Sequence, residues 1–166
     1  IANTEGLPPV LYVSPTLPAQ ELAAVRQFVE TQGQRNVLLL YLMRAHVMDM
    51  ERADNAEEVL TLAARKLEEA GAVTGDYLGS LLEREYISST DLGTIAVPHG
   101  NPDLVRETAL LIIRLKQPLR WRVSDISYVF IFAVSRVDMG HRLPLISSFY
   151  KRLVSEELRR ALPEMQ

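Results

Sequence analysis

The chain has 166 residues, a formal charge of −3 at neutral pH and no cysteine, with 48% hydrophobic and 23% charged residues. This is long enough for one hydrophobic core, and the composition is that of an ordinary globular chain. Disulfides and thiol chemistry are excluded, a basic surface for nucleic acid is not indicated, and no apolar run reaches the ~18 residues of a membrane span. We therefore predict a cytoplasmic location without membrane insertion.

The first 36 residues are typical of the end of one unit followed by a linker. Val10 to Val13 form a short β-rich run, and "SPTLP" predicts a turn. Apolar residues at spacings of three and four then predict a helix from Pro18 to Gln32, which Gly33 ends. We predict a domain boundary here, with a second domain over residues 37–166.

The second domain begins with two short apolar runs. Val37 to Met43 is apolar all round and favours a short helix, whereas Val47 to Glu51 alternates and predicts a strand. Asn55 with Glu58 three residues later resembles a capping box, so a helix should begin there. Gly71 is expected at the C′ position that ends this helix.

The rest of the chain alternates between helical and strand patterns. A second helix starts near Thr74 or Asp76 and ends in the charged residues up to Glu85. The predicted strands are Gly93–Val97, Ala109–Leu115 and Ile126–Val134, with Pro118 and Trp121 in the turn between the last two, and the predicted final helices are 144–154 and 155–162. This order predicts an α/β fold with a mixed, mostly parallel sheet flanked by helices on both faces.

His99 is the first candidate for chemistry. It stands in "GTIAVPHGN", just after the carboxyl end of a predicted strand, where open α/β sheets usually carry their sites. Pro98 restricts the backbone before it, and Gly100 has no side chain to obstruct a partner that approaches the imidazole. A histidine that merely hydrogen-bonds within a tight turn would give the same pattern, so both interpretations stay open at this point.

Arg84 and His141 are the next candidates. Arg84 ends its helix just before the hydroxyls of Ser89 and Thr90, and a guanidinium beside hydroxyls suits a phosphoryl or carboxylate group. His141 should lie near the N-terminus of the last long helix, where the helix dipole favours a neutral ring. A solvated helix end and a surface histidine are the respective alternatives, and His46 is interpreted as structural.

Three motifs in this order carry a resemblance to a known family: "REYISST", "LGTIAVPHGNPDLV" and "GHRLPLISSF". With the lead-in "NAEEVLTLAARKLEEAGAVTGDYLGSLLERE", the chain from about Val37 to Leu162 resembles the mannitol/fructose-type (type 2) IIA domain of the bacterial phosphoenolpyruvate-dependent sugar phosphotransferase system. The resemblance implies a single IIA-type domain. The link "LGTIAVPHG" is a residue or so shorter than the family's usual "IGNGIAIPHG", which implies either a tighter loop or a shifted start of the strand.

The resemblance also implies roles for individual residues. In that family the histidine of "PHG" accepts a phosphoryl group, so the role passes to His99, and the arginine before "ISST", which helps to hold the phosphate, corresponds to Arg84. The second active-site histidine corresponds to His141. The residues predicted to bind the phosphate are Ser89, Thr90 and Gly100.

No metal or other cofactor is predicted, because transfer of a phosphoryl group between histidines needs mainly alignment and charge stabilisation. A metal-hydrolase site built from His99, Asp103 and His141 is an alternative, but it lacks a recognisable ligand spacing. The resemblance thus implies a phosphotransferase-type domain with a phosphohistidine intermediate, and a regulatory rather than a metabolic role is favoured.

The first segment carries a weaker resemblance. "PPVLYVSPTLPAQELAAVRQFVE" is similar to the end of the IIB-like domain that precedes a IIA-like domain in certain multidomain transcriptional regulators. Together with a first residue that is not Met, this predicts the C-terminal piece of such a regulator or antiterminator. The implied partners are the phosphocarrier HPr and a IIB-like domain, in the same chain or separate. A transport IIA component and a degenerate protein-interaction module remain alternatives.

Overall fold

Residues 44–139 are the part of the chain that the structure, a computed structural model, describes. By its internal contacts the chain divides into two units, 1–40 and 41–166, and the described residues belong to the second. The elements are β1 His46–Met50, α1 Ala56–Glu69, α2 Tyr77–Ile87, β2 Asp91–Leu92, β3 Ile95–Ala96, a 3₁₀ turn Pro102–Leu104, β4 Ala109–Arg120 and β5 Asp125–Ala133. The elements predicted before residue 44 and after residue 139 lie outside the described residues, as does His141.

The strands form one five-stranded sheet in the order β1-β4-β5-β3-β2. β1 pairs with β4 and β3 with β5 in parallel, whereas β4 with β5 and β2 with β3 are antiparallel. The prediction of a mixed α/β sheet is confirmed. Two of the four strand pairings are parallel, whereas most were predicted to be. The reason is that the consecutive strands β4 and β5 pair directly through a short turn.

The alternating pattern around residue 48 does form a strand. Met48 and Met50 pack against the core, while Val47 and Asp49 are exposed on the other side. Asp49 stands opposite Arg114 of β4 and accepts hydrogen bonds from its Nε at 2.7 Å and from a terminal nitrogen at 2.9 Å. This pair secures the register of the edge strand β1 on β4.

The ends of α1 follow from its sequence. Asn55 Oδ1 accepts the backbone N–H of Glu58 at 2.9 Å, as the predicted N-cap requires. Gly71 has φ of +76°, a value that favours glycine, and its N–H donates to the carbonyl of Glu68 while the N–H of Ala72 donates to that of Leu67. These two bonds are the Schellman arrangement, and the predicted C′ role of Gly71 is confirmed.

The two described helices share one core with the sheet. α1 contributes Leu60 and Leu67, α2 contributes Tyr77 and Leu81, and the strands contribute Leu111, Ile113, Val129 and Ile131. On the other face Leu110, Ile112, Phe130 and Phe132 are buried as well, which confirms that β4 and β5 are covered on both sides. Helices on both faces stay a prediction, because the last predicted helices lie outside residues 44–139. Neither α1 nor α2 has the length and apolarity needed to span a membrane.

A tight hairpin precedes the "PHG" motif. Leu92 pairs with Ile95, so only Gly93 and Thr94 form the turn, and Gly93 takes φ of +71°. A two-residue hairpin turn needs such a φ, which glycine adopts without strain. The short link is therefore a tight turn, as expected, and the predicted strand Gly93–Val97 is reduced to its central residues Ile95 and Ala96.

The prediction for Pro118 was wrong. It lies inside β4 and not in the turn, at a place where the regular pairing with β5 is interrupted between Arg114 and Leu119. Proline has no N–H to donate to a ladder, and an irregularity of this kind accommodates it. Trp121 does lie in the turn, where its backbone N–H donates to the carbonyl of Ser124.

Candidate functional site

His99 lies in the turn that follows β3, at the carboxyl end of that strand. The N–H of Val97 donates to the carbonyl of Thr90 at 3.1 Å, which extends the β2–β3 hairpin by one bond. Val97 and Pro98 are buried, whereas His99 is partly exposed. The backbone before the imidazole is therefore held inside the protein, while the ring reaches the surface.

The two ring nitrogens of His99 have different partners. Arg84 Nε–H donates to His99 Nε2 at 3.2 Å, and His99 Nδ1 lies 3.3 Å from the carbonyl oxygen of Val97. An arginine N–H can only donate and a carbonyl can only accept, so these contacts require a neutral ring with its proton on Nδ1. The lone pair of Nε2 then points towards the guanidinium.

Arg84 reaches His99 from the last turn of α2. Its second contact is from a terminal nitrogen to the carbonyl of Ser88 at 3.1 Å, at the end of the same helix. A cation in the last turn also interacts favourably with the helix dipole. The structure thus brings together Arg84 and His99, two of the residues that the sequence singled out.

Glu85, the next residue, collects hydrogen bonds from three other side chains. Its carboxylate accepts the hydroxyls of Ser89 at 2.9 Å and Thr90 at 2.6 Å, the N–H of Thr90 at 2.9 Å and the indole N–H of Trp121 at 2.7 Å. Bonds to a charged acceptor are the stronger kind. Glu85 therefore ties the end of α2 to the β4–β5 turn and to the start of the hairpin.

The hydroxyls of Ser89 and Thr90 face this carboxylate. To donate to a phosphoryl group they would have to leave Glu85, so phosphate binding by these two residues stays a prediction. Their present contacts support His99 in another way. Glu85 accepts a hydrogen bond from the N–H of Thr90, and the carbonyl of Thr90 accepts one from the N–H of Val97. The carbonyl of Val97 in turn accepts a hydrogen bond from Nδ1–H of the imidazole.

Gly100 is enclosed by α2. A Cβ at this position would lie 2.6 Å from both a ring carbon of Tyr77 and the hydroxyl oxygen of Ser80. The missing side chain thus lets the turn pack against the helix, and the structure gives this reason for the glycine in addition to an unobstructed approach to His99. Binding of phosphate at Gly100 stays a prediction.

We expect Gly100→Ala to lower the free energy of unfolding by about 1–3 kcal/mol, since the added methyl group overlaps a rigid, buried ring. Gly79→Ala, in α2, has open space around the new Cβ and should raise stability by up to about 1 kcal/mol. Urea unfolding of both variants measures the contrast. Equal stabilities would contradict the packing described for Gly100.

Beyond Gly100 the chain is held by a second arginine. The carboxylate of Asp103 accepts two hydrogen bonds from Arg136, both at 2.6 Å, and this interaction keeps the pKa of Asp103 below its ordinary value. Asp103 is therefore occupied by a cation of the protein itself. Within residues 44–139 no group of three or more acidic or histidine side chains is arranged to hold a metal ion.

His99 is partly exposed, and the cavities described within residues 44–139 lie elsewhere. Three cavities of about 340, 620 and 400 Å³ include neither His99 nor Arg84 among their lining residues. The first of them is lined by Arg44, His46 and Asp138, among others. A partly exposed imidazole can be approached by a group carried by another protein.

Sequence reasoning missed Tyr77, Ser80, Glu85 and Trp121. Tyr77 and Ser80 lie in a helix that was predicted without a role for either side chain, and Trp121 was noted only as a turn residue. One signal was available for the helix: Tyr77, Ser80 and Arg84 follow one another at spacings of three and four, so they share a helix face with hydrogen-bonding groups. No local pattern marks all the partners of Glu85, because Trp121 comes from a segment 36 residues away.

Comparison with known proteins identifies the family. The model of the phosphoenolpyruvate-dependent sugar phosphotransferase system EIIA 2 family matches residues 41–166. The chain therefore belongs to that family. It is also 33% identical over 147 residues to the transcriptional regulator ManR of Bacillus subtilis, a match that covers 84% of this chain and 23% of that protein. The chain spans about a quarter of the length of the curated relatives it matches.

Solved structures of IIA proteins share the fold. The nitrogen regulatory protein IIA-Ntr of Neisseria meningitidis is 26% identical with a TM-score of 0.62, over 72% of this chain and 84% of that one. The complex of enzyme IIA and phosphorylated enzyme IIB for mannitol from Escherichia coli gives 25% identity and a TM-score of 0.59, over 70% of this chain and 84% of its counterpart. The α/β architecture is thus that of IIA domains.

Proposed function

We propose that His99 accepts a phosphoryl group from the phosphohistidine of HPr, and that this modification regulates a transcriptional regulator or antiterminator of which the chain is part. The observation that carries the proposal is the contact between Arg84 Nε and His99 Nε2, opposite the bond from Nδ1 to Val97. It describes a neutral, partly exposed imidazole whose lone pair lies beside a fixed cation. Such a ring is a nucleophile with its charge stabiliser already adjacent.

The transfer step follows from this geometry. The Nε2 lone pair attacks the phosphorus of the donor, an N–P bond forms, and the donor's own N–P bond breaks with its electron pair kept by the donor nitrogen. The donor enters with its second ring nitrogen protonated and leaves as neutral imidazole. The ring of His99 becomes cationic. The carbonyl of Val97 stabilises that charge, because it already accepts a hydrogen bond from Nδ1–H.

Arg84 has two successive roles in this step. Its Nε–H occupies the Nε2 lone pair at rest, so the arriving phosphoryl group displaces that hydrogen bond. The guanidinium has further donors and stays within reach of the phosphoryl oxygens, where it offsets their negative charge. His141 is proposed to set the orientation of the ring or the electrostatics of the site, as the family resemblance implies.

The regulatory context rests on the match to ManR. That match covers 84% of the 166 residues, about 139, which is more than the 126 residues from 41 to 166 matched by the family model. It therefore includes part of the first unit, which we propose is the tail of a preceding IIB-like domain plus linker. Phosphorylation adds about −1.5 to −2 charges, enough to change how this surface docks on a neighbouring domain. The proposed location is the cytoplasm, where HPr acts.

A transport IIA component that passes its phosphoryl group to a IIB partner is the second candidate. The similarity to the IIA chain of the solved complex with phosphorylated IIB for mannitol favours it. The sequence encoded upstream separates the two candidates. A DNA-binding helix-turn-helix there supports the regulator, whereas membrane spans would overturn it.

The proposed function is tested by incubating the chain with phosphoenolpyruvate, Enzyme I and HPr. We expect one acid-labile phosphoryl group per chain, which depends on HPr and is insensitive to chelation of metal ions. Because Nδ1 carries the proton, ¹⁵N and ³¹P NMR should locate the phosphorus on Nε2 of His99. Absence of labelling, or labelling elsewhere, would contradict the proposal.

A further inference from the structure

We propose that Tyr77 and Ser80 are positioning residues that hold the turn after His99, so that its Nε2 faces the incoming phosphoryl group. The inference rests on the proposed function of His99 and extends it to two residues of α2. The contacts from which we argue it are made to the turn backbone rather than to the imidazole. Both side chains act through the backbone of Gly100 and Asn101.

One face of α2 contacts three consecutive residues of the turn. Tyr77, Ser80 and Arg84 are spaced by three and four residues, which puts them on the same side of the helix. Their contacts are Arg84 Nε–H to His99 Nε2 at 3.2 Å, Gly100 N–H to the Tyr77 hydroxyl at 3.3 Å and Asn101 N–H to Ser80 Oγ at 3.0 Å. One side of the helix thus contacts all three residues of the turn.

The hydrogen bonds of Ser80 show which way its hydroxyl points. Ser80 Oγ–H donates to the carbonyl of Tyr77 at 2.8 Å, one turn earlier in the helix. Its oxygen is thereby left to accept the N–H of Asn101. A hydroxyl fixed to its own helix in this way is a rigid acceptor, and it transmits the position of α2 to the turn.

Tyr77 provides a second fixed point. Its ring is only 1% exposed and belongs to the hydrophobic core, so it cannot move without disturbing the core. The ring packs against the backbone of Gly100 at the place where a Cβ would otherwise lie. The hydroxyl of the same side chain then accepts the Gly100 N–H.

Together these contacts hold His99 from both sides. On the N-terminal side of His99, the carbonyl of Val97 accepts a hydrogen bond from Nδ1–H of the ring. On its C-terminal side, the N–H groups of Gly100 and Asn101 donate to side chains of α2. Because Arg84 lies on the same helix, a shift of the turn changes the distance between Nε2 and the guanidinium. Phosphoryl transfer is sensitive to such shifts, and a misplacement of about 1 Å can cost about 100-fold in rate.

The kinetic experiment uses Ser80→Ala and Tyr77→Phe in the chain, with single-turnover transfer from labelled phospho-HPr. We expect the maximal rate to fall about tenfold in each variant, while the half-saturating concentration of phospho-HPr is unchanged. Ser80→Thr keeps the hydroxyl and should retain the rate. Gly79→Ala changes the same helix at a position whose new Cβ contacts nothing, and it should also retain the rate.

A spectroscopic readout separates positioning from phosphorylation. The ¹⁵N shifts of His99 report the share of rings protonated on Nδ1, and we expect that share to fall in Ser80→Ala and Tyr77→Phe but not in Gly79→Ala. Wild-type rates and wild-type ¹⁵N shifts in Ser80→Ala would overturn the inference. If the unaltered chain accepts no phosphoryl group, the proposed function fails, and the ¹⁵N comparison still decides the positioning role. If Tyr77→Phe does not fold, Ser80→Ala decides alone.

Discussion

His99→Ala is expected to abolish labelling by phosphoenolpyruvate, Enzyme I and HPr. The variant removes the nitrogen whose lone pair faces Arg84, and in the described part of the chain no other histidine has an arginine on one ring nitrogen and a backbone carbonyl on the other. The fold should persist, because His99 is partly exposed and its backbone neighbours are held by other bonds. Incorporation of labelled phosphate tests the loss of labelling, and the midpoint of thermal unfolding tests whether the fold persists.

Substitutions of the other two histidines complete the experiment, with His46 as the control. His46→Ala changes an exposed residue of β1 and should leave labelling unchanged. His141→Ala is expected to weaken labelling without abolishing it, in agreement with a supporting role beside the acceptor. Undiminished labelling of His99→Ala would refute the assignment, and complete loss in His46→Ala would point to a different acceptor.

Arg84→Ala should produce the second large effect, a fall of about 10²–10³-fold in the rate of transfer to His99. The variant removes the cation that offsets charge on the transferring phosphoryl oxygens, and the loss of one such donor typically costs this much. Its contribution to the fold is smaller. The hydrogen bond to Ser88 and the helix dipole together account for about 1 kcal/mol. Single-turnover kinetics and urea unfolding therefore distinguish a loss of chemistry from a loss of structure.

Two further substitutions sharpen that experiment. Arg84→Lys keeps a positive charge but not the planar fork of donors, so it should recover only part of the rate. Arg65→Ala removes an exposed arginine of α1, which has a single surface pair with Glu69 at 3.9 Å, and should leave the rate unchanged. A wild-type rate in Arg84→Ala would show that the guanidinium does not take part in the transfer.

Much of this domain was predictable because its signals are local. The N-cap of Asn55, the C′ role of Gly71 and the alternation around Met48 depend on residues within one or two turns of each other, and the structure confirms all three. His99 and Arg84 are predicted from residue type, from their positions at element ends and from a family resemblance, and the structure places them in contact. The family match to residues 41–166 confirms that resemblance.

The places where the sequence misled have the same physical origin. Pro118 was expected in a turn because proline breaks ladders, yet β4 continues past it through an irregularity that only its pairing with β5 defines. A mostly parallel sheet was expected because helices and strands alternate along the chain. The direction of each pairing depends, however, on which strands become neighbours. Pairing is a long-range choice, and no window of local sequence contains it.

The sequence alone determined both ends of α1 and the buried strands β4 and β5, and it predicted the two side chains on which the proposed chemistry depends. Only the tertiary structure decided which nitrogen of His99 carries the proton, since Val97 and Arg84 reach it from different elements. The same holds for Glu85, whose partners lie up to 36 residues away, and for Tyr77, whose hydroxyl accepts the N–H of a residue 23 positions later. Hydrogen bonds require directions and distances of about 3 Å, and these exist only once separate segments have packed together.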